Sequence, residues 1–219
     1  MGHDGTRLSN LSASRLLVFA GPLLWAGLIL FHPNPGEGSP YEEISDEVNR
    51  WLFVHVGQLV LTPFLVFAVW RLLDGLSSAA ARVSRVALVV WAVFFSAYDS
   101  VQGVATGVLI RHANSLAGEE QAAVAGAIDF LVNDSQLAGS VSAVWGVAAA
   151  AWIVCALAAA VALHQAGAGK AAVAAACLST VFVVHVAPAA VGLVALFLAG
   201  VLARPRRATA ALGAPAILV

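Results

Sequence analysis

The stretch from Val86 to Ile110 reads VALVVWAVFFSAYDSVQGVATGVLI, and it decides the fold class. It is longer than the roughly 20 apolar residues that a helix needs to cross a bilayer. One carboxylate, Asp99, interrupts it, and a charged side chain at that depth costs about 2.5–3.5 kcal/mol on insertion scales. Such a group is retained where it has a partner, faces a wet cavity or takes part in function. The stretch therefore predicts a membrane helix with a candidate functional residue inside it.

The composition of the whole chain agrees with this stretch. Of its 219 residues, 61% are hydrophobic and 11% are charged, whereas a soluble domain carries about 25% charged residues. This predicts a polytopic membrane protein rather than a water-soluble enzyme. Cys155 and Cys177 both lie in apolar runs without a CxxC spacing, which favours two small buried hydrophobes. There is no Gly-rich phosphate loop or basic patch, so we expect no nucleic-acid partner.

Six apolar segments are predicted to cross the membrane in one all-α domain, residues 1–219. The first is expected to be a retained signal anchor, because no A-x-A cleavage site follows it. The last run, residues 171–203, would reach about 50 Å as one helix, and Pro188 disfavours helix at the residue before it. We therefore divide that run at His185–Pro188. The six predicted segments are residues 16–31, 51–73, 86–110, 141–163, 171–185 and 188–203.

The basic residues predict the orientation of these six segments. With the N-terminus in the cytoplasm, nine of the eleven Lys and Arg residues lie on the cytoplasmic side, as the positive-inside rule requires. Five segments would instead place the last three Arg residues outside. We expect both termini to be cytoplasmic, in the plasma (inner) membrane of a bacterium. The nine residues are Arg7, Arg15, Arg71, Arg82, Arg85, Lys170, Arg204, Arg206 and Arg207.

Two longer loops are expected on the outer side. Residues 32–49 are rich in Pro and Gly and are predicted to be irregular. Residues 114–139 are predicted to hold a short amphipathic surface helix, capped by Asn114 or Ser115, with two glutamates in its first turn. Its role is open between a lid over a site and a plain connector. The predicted apolar face comprises Val124, Ala127, Ile128 and Leu131.

Polar residues of the second and third segments are expected to meet. His55, Gln58 and Thr62 share one face of the second segment. Asp99 lies about 20 Å along the third segment at 1.5 Å per residue, close to the depth of Gln58. Two adjacent antiparallel helices would thus bring His55, Gln58 and Asp99 together. A GxxxG pair, Gly103 and Gly107, would let a neighbouring helix approach closely.

The first functional hypothesis is a membrane enzyme that acts on a lipid-soluble substrate from the outer side. Asp99 would be the general acid or base, since a positioned carboxylate can exchange a proton with a reacting group. His55 or His185 would orient the carboxylate or exchange its proton, and Tyr98 would act beside them. The predicted substrate-binding residues are Gln58, Thr62, Gln102 and Trp145.

Two cofactor hypotheses use the same region. His55, His185 and Asp99 could be three zinc ligands with an open fourth position, as in catalytic zinc sites. Alternatively, His55 and His185 could ligate the iron of a b-type haem from its two sides. The sequence does not choose between zinc, haem b and no cofactor.

A third class of function is non-catalytic. The chain could be an accessory or assembly subunit with a protein partner, or a homo-oligomer, surrounded by membrane lipids. A neutral Asp99 hydrogen-bonded to Gln58 or His55 would then be purely structural. His32 and His112 are interpreted as membrane-boundary residues rather than ligands.

Overall fold

The computed structural model of the protein describes residues 19–33, 38–134, 139, 142–183 and 187–203. This part of the chain is built from helices. They are α1 (Phe19–Ile29), α2 (Pro40–Ile44), α3 (Val48–Leu72), α4 (Ala79–Asp99), α5 (Thr106–Ala113), α6 (Gly118–Asn133), α7 (Ala143–Gln165), α8 (Lys170–Leu178) and α9 (Ala187–Leu202). Short 3₁₀ helices occupy Ser45–Glu47 and Ser179–Val183, and a π-helix occupies Ser100–Ala105. No strand occurs among the described residues.

Three helical stretches are long and apolar enough, by length and composition, to cross a membrane. They are Pro40–Leu72, Ala79–Ala113 and Ala143–Gln165. Shorter apolar helices cover Phe19–Ile29, Lys170–Val183 and Pro188–Leu202. Helices therefore occur in all six apolar segments predicted from the sequence, and the chain is all-helical where it is described. The HVAP division of the last segment lies partly outside the described residues, which resume with α9.

Helix α3 buries polar residues and exposes large apolar ones. His55, Gln58 and Thr62 are buried along with apolar residues such as Leu65, whereas Phe53 and Phe64 are 65% and 55% exposed. This apolar face is largely uncovered by the described part of the chain. A contiguous exposed apolar surface of this kind marks contact with a membrane or another protein.

An aromatic cluster forms the centre of the bundle. Trp91 lies 4.9 Å from Trp152 and 5.3 Å from Phe95, measured between ring centroids. Trp25 and Phe182 complete the cluster, each 5.4 to 6.1 Å from its aromatic neighbours in α1, α4 and the second 3₁₀ helix. Because its five rings come from α1, α4, α7 and the 3₁₀ helix after α8, the cluster joins four parts of the chain.

Two local predictions are wrong. Residues 32–49 were expected to be irregular, but α2 and a 3₁₀ helix run from Pro40 directly into α3, since Pro is favoured in the first turn of a helix. The N-cap of α6 is Ala117 rather than Asn114 or Ser115. Asn114 instead donates to the backbone carbonyl of Ser45 at 3.0 Å, so its side chain ties α5 to the region of α2.

Helix α6 packs against α5 and α2 and forms a cap at one end of the bundle. Ile128 is fully buried and belongs to the same apolar cluster as Ile44 and Trp51. Ser39 Oγ donates to both carboxylate oxygens of Asp129, at 2.8 and 3.0 Å. Of the predicted apolar face, Ile128 is buried, Val124 and Leu131 are half-buried and Ala127 is exposed. We call the end of the bundle beneath this cap the histidine end.

Candidate functional site

A buried hydrogen bond between a histidine and an aspartate connects α3 with α4 at the histidine end. His55 Nδ1 lies 2.6 Å from Asp99 Oδ1. The residues are 4% and 2% exposed, so water does not screen the contact. A carboxylate accepts a hydrogen bond from an imidazole N–H in this geometry. The depth argument that placed these two residues together thus agrees with their contact.

A second imidazole, that of His32, contacts His55 through the ring nitrogen that does not face Asp99. His32 Nε2 lies 3.2 Å from His55 Nε2, and the two rings are nearly perpendicular at 75°. On its other side, His32 Nδ1 lies 2.5 Å from the carbonyl oxygen of Pro33. The side chains of His32, His55 and Asp99, which we call the polar cluster, therefore form a continuous chain of close polar contacts from α4 to the end of α1.

Trp51 holds the histidines in place from one side. Its ring centroid lies 4.3 Å from that of His55 and 5.0 Å from that of His32. Its Nε1 donates to the carbonyl oxygen of Gly103 at 2.7 Å. This carbonyl belongs to the π-helix, whose backbone departs from α-helical hydrogen bonding. Such π-helices occur frequently at functional sites.

Gly103 makes room for the imidazole of His55. A Cβ atom at this position would lie 2.2 Å from His55 Nδ1, far inside van der Waals contact. At Gly107, one turn on, a Cβ atom would lie 2.6 Å from Leu52 Cδ2 and 3.0 Å from Trp51 Cδ1. Both glycines of the GxxxG pair thus face α3, which is the close helix approach expected from the sequence.

One oxygen of the Asp99 carboxylate remains without a partner. Asp99 Oδ2 is buried, and it accepts no hydrogen bond within the part of the chain that the structure describes. Gln58 lies one turn along the same buried face of α3, and it is His55 rather than Gln58 that contacts Asp99. Buried polar atoms are nearly always satisfied by protein or by another molecule. An unpartnered carboxylate oxygen is therefore the strongest sign of a binding position in the described chain.

Among the described residues, none of the other predicted site residues hydrogen-bonds to Asp99. Tyr98 stacks on Trp145 with ring centroids 5.1 Å apart, so it faces α7 whereas Asp99 faces α3. Thr62 Oγ1 donates to the carbonyl of Gln58 at 2.9 Å, which uses its hydroxyl within α3. Gln102 is half-buried in the π-helix. Their roles in binding remain predictions.

The predicted metal ligands are only partly described. His185 lies outside the described residues, and Asp99 contacts the Nδ1 atom of His55 rather than sharing a common point with its Nε2 atom. Among the residues that the structure does describe, no group of three or more His, Cys, Asp or Glu side chains gathers around one point.

The contribution of His32 was missed by sequence reasoning. Its position at the end of the first apolar segment is typical of a membrane-boundary residue, and that interpretation ranked it below His55. The available signal was that His32 and His55 both fall at the same end of the predicted bundle. His112 and His164 are exposed, in agreement with a boundary position.

Comparisons with known proteins assign the chain to no family. No protein-family model, no curated protein and no solved structure matches it. The function proposed below is therefore argued from the geometry of the polar cluster.

Proposed function

We propose that the chain is a multi-pass integral membrane enzyme with an acid–base site at the histidine end, acting on a lipid-soluble substrate. Three long and three shorter apolar helices, together with the exposed apolar face of α3, support six spans in a bacterial inner membrane. The distribution of basic residues supports cytoplasmic termini and an outward-facing histidine end.

The single observation that carries the catalytic proposal is the asymmetry of the Asp99 carboxylate. Its Oδ1 is fixed by His55 at 2.6 Å, and its Oδ2 is buried and has no partner among the described residues. The carboxylate is thus held in one orientation with one oxygen left to meet a substrate. No described Lys or Arg pairs with Asp99, whose hydrogen-bond partner is His55.

The chemistry that follows is proton transfer at Asp99 Oδ2. A substrate that enters from the lipid places an acidic or basic group against this oxygen, which takes or returns the proton. His55 keeps Oδ1 hydrogen-bonded through both stages and stabilises the carboxylate form. Because the site is fixed before the substrate arrives, little reorganisation is needed during the reaction. Gln58 and Gln102 are the nearest polar side chains along α3 and the π-helix for binding a headgroup.

The test replaces Asp99 by its uncharged isostere. Asp99→Asn should preserve folding and reduce turnover by at least about 100-fold, the usual contribution of a general acid or base. The matched control is Asp74→Asn, which changes an exposed carboxylate paired with Arg71. Membranes from cells expressing each form are compared by lipid mass spectrometry. A species whose amount depends on the wild type and Asp74→Asn, but not on Asp99→Asn, identifies the substrate or product and is then followed in proteoliposomes.

Other outcomes separate the alternatives. Identical lipid profiles for all three forms would contradict the enzyme proposal. Stoichiometric copurification of another membrane chain alongside identical profiles would favour an accessory subunit. A Soret band in the purified protein would favour haem b, and its loss in His55→Ala would assign that histidine as an axial ligand.

A further inference from the structure

The hydrogen-bonding partners of the two imidazoles decide where their ring protons lie. The Pro33 carbonyl can only accept, so His32 must carry a proton on the Nδ1 atom that contacts it at 2.5 Å. The Asp99 carboxylate accepts in the same way from His55 Nδ1. In neutral imidazoles the second nitrogen then carries a lone pair and no proton. The two Nε2 lone pairs consequently point at each other across 3.2 Å.

Two lone pairs this close repel unless the nitrogens share a proton or both bind a cation that lies to one side of the line joining them. The spacing of 3.2 Å between the Nε2 atoms is informative about which cation fits. Two imidazole nitrogens bound to one tetrahedral zinc ion, each about 2.0–2.1 Å away, stand roughly 3.3 Å apart. Two axial ligands on opposite sides of a haem iron would be about 4 Å apart at similar bond lengths. The observed spacing thus matches a four-coordinate ion and not a bis-histidine haem.

The surroundings of both rings are also those of metal ligands. A metal-binding histidine almost always donates its other ring N–H to a carboxylate or a backbone carbonyl, which fixes its tautomer and orientation. His55 donates to a carboxylate and His32 donates to a carbonyl. Trp51 packs against both rings, and this further limits their rotation.

We propose that His32 and His55 bind a divalent transition-metal ion of the zinc class between their Nε2 atoms, with Asp99 as the outer carboxylate that orients His55. Imidazole nitrogen suits zinc and its first-row neighbours rather than magnesium or calcium. Water or an oxygen of the substrate supplies further ligands. This assignment differs from the ligand set expected from the sequence, because Asp99 acts through His55 and does not bind the ion.

This inference deepens the proposed function and rests on the same site. A zinc-class ion supplies Lewis-acid polarisation of an oxygen held beside it. The two oxygens of Asp99 keep the roles proposed above. Oδ1 accepts the hydrogen bond from His55, and Oδ2 exchanges a proton with the substrate. The positive ion also balances the charge of a carboxylate that has no Lys or Arg partner in the described structure.

The test measures Zn²⁺ and Co²⁺ binding to the full chain, purified in detergent and stripped with a chelator. We expect about one ion per chain, visible absorption bands of four-coordinate Co²⁺, and a rise in melting temperature on adding Zn²⁺. His32→Ala and His55→Ala should each abolish this binding. Asp99→Asn should weaken it about 10–100-fold, as loss of an outer carboxylate does. His164→Ala, which changes an exposed histidine, is the matched control and should bind normally.

Absence of stoichiometric Zn²⁺ binding by the wild type would overturn the inference, and a proton shared by the two Nε2 atoms would then explain their contact. Binding that survives in both His32→Ala and His55→Ala would overturn it equally. The thermal shift of the wild type provides a readout even if a histidine variant fails to fold. Turnover that depends on Asp99 but needs no metal would contradict this inference alone. Metal binding without such turnover would contradict the proposed enzyme and leave the metal site standing.

Discussion

The polar cluster and the aromatic cluster lie next to each other on α4 but differ in how they stabilise the bundle. Phe95 of the aromatic cluster is one helical turn before Asp99, and both are buried. Each region also contains one buried atom without a hydrogen-bond partner in the described chain, Trp25 Nε1 in the first and Asp99 Oδ2 in the second. The two unpartnered atoms have different consequences.

The indole N–H of Trp25 is a neutral group surrounded by rings. An unsatisfied neutral donor costs about 1–3 kcal/mol, which contacts with three aromatic neighbours can offset. The Asp99 carboxylate has few packing contacts of that kind, and an unsatisfied charged group costs more. The comparison indicates that the first is a tolerated packing defect, whereas the second is the atom that the proposed substrate would satisfy.

The largest expected effect is on stability and comes from the aromatic cluster. Trp91→Ala should lower the free energy of unfolding by about 3–5 kcal/mol, because it leaves a cavity among four rings. Phe53→Ala, which changes a side chain 65% exposed on α3, should cost less than about 1 kcal/mol. Denaturant titration in mixed micelles measures both. Equal costs for the two variants would show that the aromatic cluster is not the stabilising centre.

An intermediate effect is expected where the polar cluster is most tightly packed. Gly103→Ala adds a Cβ atom 2.2 Å from His55 Nδ1, so the imidazole must move away from Asp99. Overpacking of this kind costs about 1–3 kcal/mol, and Asp99-dependent turnover should be lost with it. The control is Gly146→Ala, where nothing lies within 4 Å of the added atom and helix propensity favours Ala by about 1 kcal/mol. If Gly103→Ala kept full turnover, the His55–Asp99 contact would be irrelevant to function.

The smallest effect is expected at the unpartnered indole. Trp25→Phe removes a buried N–H that bonds to nothing in the described chain, so the free energy of unfolding should change by less than about 1 kcal/mol. Trp152→Phe is the matched comparison, since it removes a 2.8 Å hydrogen bond to the carbonyl of Ser179 and leaves that acceptor buried. It should therefore cost about 1–3 kcal/mol. Equal losses for the two variants would show that the indole N–H of Trp25 is not a tolerated packing defect.

The sequence correctly predicted the features that depend on a single helix. Apolar runs predicted the helices around residues 51–73, 86–110 and 141–163, since helix formation in an apolar solvent is set by the length of the run. The stripe of His55, Gln58 and Thr62 was predicted to share a face, and all three are buried. Residues at positions i, i+3 and i+7 share a face in any α-helix, so this prediction needed no knowledge of the other helices.

Features that depend on contacts between distant segments were not predictable. His32 was interpreted as a boundary residue because its depth was visible in the sequence, but its position beside His55 depends on how α1 packs against α3. The π-helix at Ser100–Ala105 has no signature in its residues. Its contact with Trp51 Nε1 is a tertiary interaction. The N-cap of α6 was misplaced because Asn114 bonds to Ser45 instead of its own helix.

The π-helix has a consequence for insertions and deletions in this chain. Its hydrogen bonds enclose one residue more per turn than those of an α-helix, so the segment behaves as a stored single-residue insertion. Deleting one residue between Ser100 and Ala105 would restore a regular helix with a spacing of about seven residues from Asp99 to Gly107, which is close to two α-helical turns, so both would still face α3. A single deletion within α4 or α5 would have no such segment to absorb it and would rotate the residues beyond it by about 100°. Among proteins built on this plan, a difference of one residue in the spacing between Asp99 and Gly107 is therefore compatible with a shared site.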